Sequence, residues 1–269
     1  MCAAVMAGPA LAFEPTNGAL GMQPAATRIA ERIHHFHNFV LVIITVITIL
    51  VLALLLWVIV RHNRRANPNP RKFSHNTLIE VIWTVGPVVI LLFIAVPSFS
   101  LLTAQYTPPE EPALTVKATG YQWYWGYEYP DENIIFDSYM IEEEDLKPGQ
   151  PRLLTVDNEI VVPVNKVVKV LITANDVLHA WALPSFGVKR DAVPGRINET
   201  WFKADRTGTF YGQCSELCGI KHAFMPITVN VVSQEEYVKW LKEAKQKFAK
   251  EELDLNKKVV KRILEGEIK

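Results

Sequence analysis

The sequence predicts a two-helix transmembrane hairpin followed by an all-β sandwich or barrel, with a helix at the C-terminal end. Three observations carry this. Two long apolar runs lie before Thr103, separated by a strongly basic loop. After "TPPEEP" (Thr107 to Pro112), a stiff polar linker, come short runs rich in Val, Ile, Thr and aromatics, punctuated by Gly, Pro, Asn and Asp. Residues 234–269 are highly charged, with sparse apolar residues at helical spacing.

The first 27 residues read as a signal remnant and N-terminal segment. A small, apolar start leads into "ALAFEP", which looks like the end of a secretory signal cleaved near Ala12, although no basic segment precedes it. The hairpin occupies residues 28–106. Its first span, "NFVLVIITVITILVLALLLWVIV" (38–60), carries no charge, and about 20 apolar residues cross a bilayer core. The second, "VIWTVGPVVILLFIAVPSFSLL" (81–102), contains Gly86, Pro87 and Pro97, which membrane helices tolerate better than soluble ones. Arg61, Arg64, Arg65, Arg71 and Lys72 crowd the loop between them. The positive-inside bias puts that loop in the cytoplasm and both flanks outside. His34, His35 and His37 read as interfacial. Glu80, at the cytoplasmic mouth of the second span, is either a solvated carboxylate or a group through which protons enter.

Composition narrows the function classes. The 269 residues hold 28 basic and 28 acidic side chains, so no strongly basic face asks for nucleic acid. Three cysteines do not make a disulfide scaffold, and no C-x-x-C-H marks an attached haem. The β-rich region, 113–233, is long enough for one core. The tail helix reads as a surface helix able to pack on a neighbour.

Within the β region "CSELCGIKHAFM" places Cys214, Cys218, His222 and Met225 in the spacing C-x3-C-x3-H-x2-M. A disulfide across three residues removes little chain entropy and leaves the histidine and methionine without a role. A zinc site would use both thiols and two imidazoles and leave Met225 idle. Soft thiolates with imidazole and a thioether suit copper in electron transfer, and a pair of coppers sharing both thiolates would explain the second thiol. A further imidazole must come from elsewhere, and His179, beside Trp181 in "NDVLHAWALPSFGVKRDAVPGR", is the candidate. Glu216 lies between the cysteines. If the loop wraps a metal, its carbonyl points inward and its carboxylate outward, where a harder cation could bind. "YQWYWGYEY" reads on its own as an aromatic strand filling a core.

Taken together, the hairpin, "YQWYWGYEY", "DVLHAWALPSFGVKRDAVPGR" and "CSELCGIKHAFMPI" resemble subunit II of the haem–copper cytochrome c oxidases, over nearly the whole chain after about residue 28. The resemblance implies a cupredoxin-like barrel holding the binuclear CuA centre. It implies that Cys214 and Cys218 bridge two coppers, that His179 and His222 each bind one, and that Met225 and the Glu216 carbonyl are weak ligands. It puts the Glu216 carboxylate on a magnesium or manganese ion at the interface with subunit I, and Arg196 near the haem propionates of that subunit. Trp123 matches the residue where electrons enter from cytochrome c. Glu128, Asp157, Asp176 and Asp191 match acids that face it, while Asn175 stands where some relatives carry another acid. Glu80 matches the entrance of a proton path.

The implied partners are subunits I and III, cytochrome c and membrane lipid. The implied setting is a bacterial inner membrane, with both termini and the copper domain in the periplasm. The implied activity is passage of electrons to haem in subunit I, where oxygen is reduced to water and protons are pumped. Three other readings compete: a copper-free quinol-oxidase subunit, a copper chaperone or assembly factor, and a structural zinc domain. The intact Cys-Cys-His-Met set argues against the first, and a histidine 35 residues upstream of Cys214 against the second.

Overall fold

The computed structural model describes residues 12–13, 21–70 and 72–248, with side chains from residue 21 onward. Apart from a two-residue strand at Ala12–Phe13, the region of the expected cleavage near Ala12 lies outside the described residues, as do Arg71 of the basic loop and the tail beyond 248. The chain divides into two compact units: Arg32–Ala104, and the segments on either side of it.

The hairpin unit contains most of α1 (Arg28–Arg61) and α2 (Thr77–Tyr106). Both helices outrun the apolar stretches at 38–60 and 81–102, because hydropathy marks the length in contact with lipid whereas capping marks the helix end. Thr27 caps α1, its Oγ1 accepting from Ala30 N at 3.0 Å. Asn76 does the same for α2, accepting from Ile79 N at 3.3 Å. Pro87 and Pro97 sit inside α2. The apolar side chains stand exposed along both helices, Val42 and Leu92 each at 63%. A helix apolar on every side, with its backbone bonded internally, is built for a lipid or protein surround.

The other unit is a two-sheet sandwich. Its strands are β1 (Ala12–Phe13), β2 (Leu114–Tyr121), β3 (Tyr124–Tyr129), β4 (Ile134–Ser138), β5 (Ile160–Pro163), β6 (Val168–Ala174), β7 (His179–Leu183), β8 (Val188–Ala192), β9 (Asn198–Phe202), β10 (Gly208–Cys214) and β11 (Pro226–Val232). One sheet runs β5-β11-β10-β7-β8 with β1 alongside β10, and the other runs β4-β3-β2-β6-β9. Alternate residues of β2, β3 and β6 are buried, the two-residue period of a strand with one face on a core. Trp125, Tyr127, Tyr129, Ile172, Phe186, Phe210 and Ile227 fill the space between the sheets.

The tail forms α3 (234–248). Its apolar stripe packs on this chain's own sandwich: Tyr237, Ala244 and Phe248 are buried, and Phe248 stacks on Phe136 at 4.7 Å between centroids. The residues just before α1 also belong to the sandwich. Ala26 N donates to Ser185 O at 2.8 Å, Ala26 O accepts from Asp205 N at 3.0 Å, and Thr27 Oγ1 donates to Phe186 O at 2.8 Å.

A buried tyrosine latches one sheet to the other. The Tyr129 hydroxyl, from β3, donates to Val161 O at 2.9 Å and accepts from Val161 N at 3.0 Å, on β5. Tyr129→Phe leaves both main-chain groups of Val161 without that partner and is expected to destabilise the sandwich by about 2 kcal/mol. Denaturant unfolding of the detergent-solubilised chain, followed by tryptophan fluorescence, checks this. An unchanged midpoint would show that the latch contributes nothing.

Candidate metal centre

The two halves of the cluster are brought together by strand pairing. Cys214 ends β10 and His179 opens β7, and these strands pair with Cys214 opposite Trp181. After Cys214 the chain leaves the sheet as a loop, makes one short helical turn at His222–Phe224, and re-enters as β11 beside its own departure point, Gln213 opposite Pro226. Cys214 N donates to Met225 O across the neck of this loop at 3.4 Å.

The expected donors converge. The sulfurs of Cys214 and Cys218 are 3.9 Å apart, well beyond the roughly 2.05 Å of a disulfide. Each thiol has its own imidazole: His179 Nδ1 lies 3.8 Å from Cys214 Sγ, and His222 Nδ1 lies 3.5 Å from Cys218 Sγ. Met225 Sδ sits 3.5 Å from Cys218 Sγ, and the Glu216 carbonyl 3.4 Å from Cys214 Sγ. The ligand atoms of His179, Cys214 and Cys218 fall within 4.8 Å of one another. Both cysteines, His179 and Met225 are buried, and His222 is half-buried. Glu216 is an exposed residue whose carbonyl reaches the cluster.

Electrostatics inside the cluster is one-sided. Burial works against the Cys214 thiolate, but the His179 imidazole and the main chain of Glu216 and Ala180 outweigh it and bring this thiol down to about 7. Burial, then the charge of Cys214, push Cys218 up to about 12. One thiolate forms readily and the second resists, since two negative sulfurs this close in a buried site repel strongly. Positive charge between them removes the conflict. A metal bound by a thiolate at about 2.3 Å can touch both sulfurs at this separation. Two thiolates, two imidazoles and a thioether are a soft set, so the residues fit copper.

The other expected residues divide. Trp123 is half-buried beside the cluster, its indole N–H donating to Cys218 O at 3.1 Å. Asp176 belongs to the cluster as well: its Oδ1 is 2.9 Å from His179 Nε2, and its Oδ2 accepts from Gln122 N at 2.7 Å. Glu128 pairs with Lys117 at 3.0 Å across β3 and β2. Asp157 Oδ1 accepts from Tyr139 N and Asn158 N at 2.8 and 2.7 Å. Asp191 is an exposed residue of β8, and Arg196 an exposed residue of the turn that follows, with Asn175 exposed beside Asp176. None of these four groups — Glu128, Asp157, Asp191 and Arg196 — is among the cluster's contacts. Glu80 lies in the other unit, in the first turn of α2.

Two residues without a chemical signature also shape the site. Gly120 lies against the His179 ring: a Cβ there would come within 2.8 Å of Cδ2. Gln122 donates from its side chain to Cys218 O at 2.9 Å. Neither glycine nor a lone glutamine signals a metal site, and only the pairing of distant segments reveals their roles.

The chain is similar to known proteins over most of its length. Residues 114–232 match the family model "Cytochrome C oxidase subunit II, periplasmic domain", and residues 15–101 match "Cytochrome C oxidase subunit II, transmembrane domain". The chain is 54% identical to the probable cytochrome c oxidase subunit 2 of Rickettsia felis over 90% of this chain and 76% of that one. It is 49% identical to cytochrome c oxidase subunit 2 of Cereibacter sphaeroides over 86% and 82% respectively. It is 61% identical to the crystallised periplasmic domain of subunit II of cytochrome oxidase of Bradyrhizobium japonicum, covering 52% of this chain and 98% of that one with a TM-score of 0.49.

The bare face of Gly120 yields a test. Gly120→Ala drives a methyl group into the His179 ring, and displacing one imidazole is expected to lower metal affinity by about 10-fold or more. Competition with a calibrated copper chelator measures it. Affinity equal to that of the unaltered chain would mean that the ring has room to move.

Proposed function

The chain belongs to the cytochrome c oxidase subunit II family, and on that premise we propose that it is the subunit through which electrons reach the oxidase. A hairpin anchors it in the membrane, and the sandwich stands on the periplasmic side of a bacterial inner membrane with both termini. Cytochrome c docks on the sandwich. Electrons pass by way of a binuclear copper centre to haem in subunit I, where oxygen is reduced to water and protons are pumped. The observation that carries this is the pair of buried thiols, 3.9 Å apart and unbonded, each with its own imidazole.

Cys214, Cys218, His179 and His222 would hold the copper pair, with Met225 and the Glu216 carbonyl as weaker ligands. When bound, the copper pair supplies a one-electron site whose charge is spread over two metals, which keeps reorganisation on electron transfer small. The protein supplies a dry, pre-shaped cradle. Burial of Met225 at 1% and His179 at 0% exposure excludes water from these two donors, while His222 is half-buried. Asp176 orients the His179 ring by holding Nε2, leaving Nδ1 toward the sulfurs. Trp123 is where electrons enter: its ring is partly open to solvent, and its N–H bonds the main chain of Cys218.

The remaining assignments follow the family. Glu216 directs its carboxylate to a magnesium or manganese ion at the boundary with subunit I, and Arg196 sits near that subunit's haem propionates. Glu80 opens a proton path. Glu128, Asp157, Asp176 and Asp191 give the docking face its negative charge, which speeds encounter with a lysine-rich partner. Subunit III and membrane lipid complete the surroundings.

Metal content and spectrum test the reading. Two coppers per chain with near-infrared absorption and a mixed-valence electron resonance are expected. One ion per chain, or a colourless zinc protein, would overturn it. Trp123→Phe removes the indole N–H and is expected to slow electron uptake severely while cytochrome c still binds. Stopped-flow reduction alongside a binding titration separates the two, and normal uptake would return Trp123 to a packing role.

A further inference from the structure

We infer that Gln122 is a positioning residue of the metal centre, tying the Cys218 loop in place with its side chain and the His179 half in place with its main chain. The inference deepens the copper reading and rests on it.

The loop from Ser215 to Lys221 has no strand pairing. Its Leu217 and Ile220 are 78% and 87% exposed, so neither of these apolar side chains anchors it. Ser215 N donates to Ala180 O at 3.0 Å near its start. Further along, besides the contacts within the donor cluster itself, the Cys218 carbonyl ties the loop to the β2–β3 turn. That oxygen accepts from Gln122 Nε2 at 2.9 Å and from Trp123 Nε1 at 3.1 Å. The loop lies directly on these two side chains. At Gly219, where φ is +119°, a Cβ would come within 3.0 Å of the Trp123 ring and 3.2 Å of Gln122 Nε2. Cys218 is the hub of the donor set, with the sulfurs of Cys214 and Met225 and the His222 ring all within 3.9 Å of its own sulfur. Whatever fixes its carbonyl therefore fixes the hub.

The other half is reached through the backbone. Gln122 N donates to Asp176 Oδ2 at 2.7 Å, and Asp176 Oδ1 holds His179 Nε2 at 2.9 Å. A side-chain substitution leaves that link untouched. Gln122 itself is exposed, so its replacement removes no core packing. The consequence is an asymmetry. Loss of the amide disturbs Cys218 and His222 and spares His179, whereas loss of the Asp176 carboxylate does the reverse. A general loosening of the fold would disturb both halves together.

The test uses the full-length chain in detergent, as Gln122→Met, Gln122→Lys and Asp176→Asn. In the metal-free chain, alkylation of each cysteine is followed by mass spectrometry. Gln122→Met should speed reaction at Cys218 by about fivefold, the worth of one hydrogen bond, with Cys214 unchanged. Gln122→Lys, which restores a donor, should bring the rate back. In the copper-loaded chain, Gln122→Met should shift the magnetic-resonance signals of the Cys218 β-protons and the His222 ring and leave those of His179 in place. Asp176→Asn should shift the His179 signals instead. Equal displacement of both halves in Gln122→Met, or no change at either cysteine, would overturn the inference. If the unaltered chain takes up no copper, the copper reading falls, and the alkylation rates still decide the role of Gln122.

Discussion

Two sulfur atoms held inside a protein, 3.9 Å apart and not joined, create an electrostatic demand that the surrounding residues are arranged to meet. Water cannot relieve it, because both cysteines are buried. The scaffold answers with imidazoles on either flank and with main-chain groups turned inward, and it leaves the remaining negative charge for cations to neutralise. Donors that are already close, dry and unable to collapse into a disulfide without movement of the loop need little rearrangement to take metal.

That arrangement depends on the least regular part of the sandwich. Strand pairing fixes Cys214, opposite Trp181 of β7, and His179, opposite Ala192 of β8. Cys218 and His222 have no such frame. They ride on a loop whose ends are pinned but whose middle rests on side chains from the β2–β3 turn. The rigid half and the tethered half meet at that turn, so one short stretch, Gly120 to Trp123, seats a ring, orients a carboxylate, anchors a carbonyl and offers an aromatic face to solvent.

Much of this was legible in the residues alone, and the boundary of legibility has a physical basis. The hairpin could be read because lipid demands an unbroken apolar run, although the helix ends could not, since Thr27 and Asn76 act through single hydrogen bonds. The C-x3-C-x3-H-x2-M set could be read because loop geometry keeps donors local, and His179 because the site lacked an imidazole. Gly120, Gln122 and the inward role of Asp176 were hidden. Asp176 was expected to face a partner protein, and the bonds from its oxygens to His179 and Gln122 add a role that its sequence position did not announce. Gln122 meets Asp176 across 54 positions of sequence and Cys218 across 96. No local pattern encodes a contact of that range. The packing of α3 was hidden in the same way: Phe248 stacks on Phe136 and Trp240 lies against Tyr129, contacts that helical spacing does not specify.

The residues ahead of α1 carry a consequence for how such a chain is made. Ala26 and Thr27 supply hydrogen bonds to Ser185, Phe186 and Asp205, groups synthesised long after them and on the far side of the hairpin. A ribosome delivers the strap first and its docking groove last. The strap must therefore already lie on the same face of the bilayer as the sandwich when the sandwich closes. A hairpin threaded so that residues 26 and 27 lay across a bilayer from the sandwich would leave those main-chain groups without these partners.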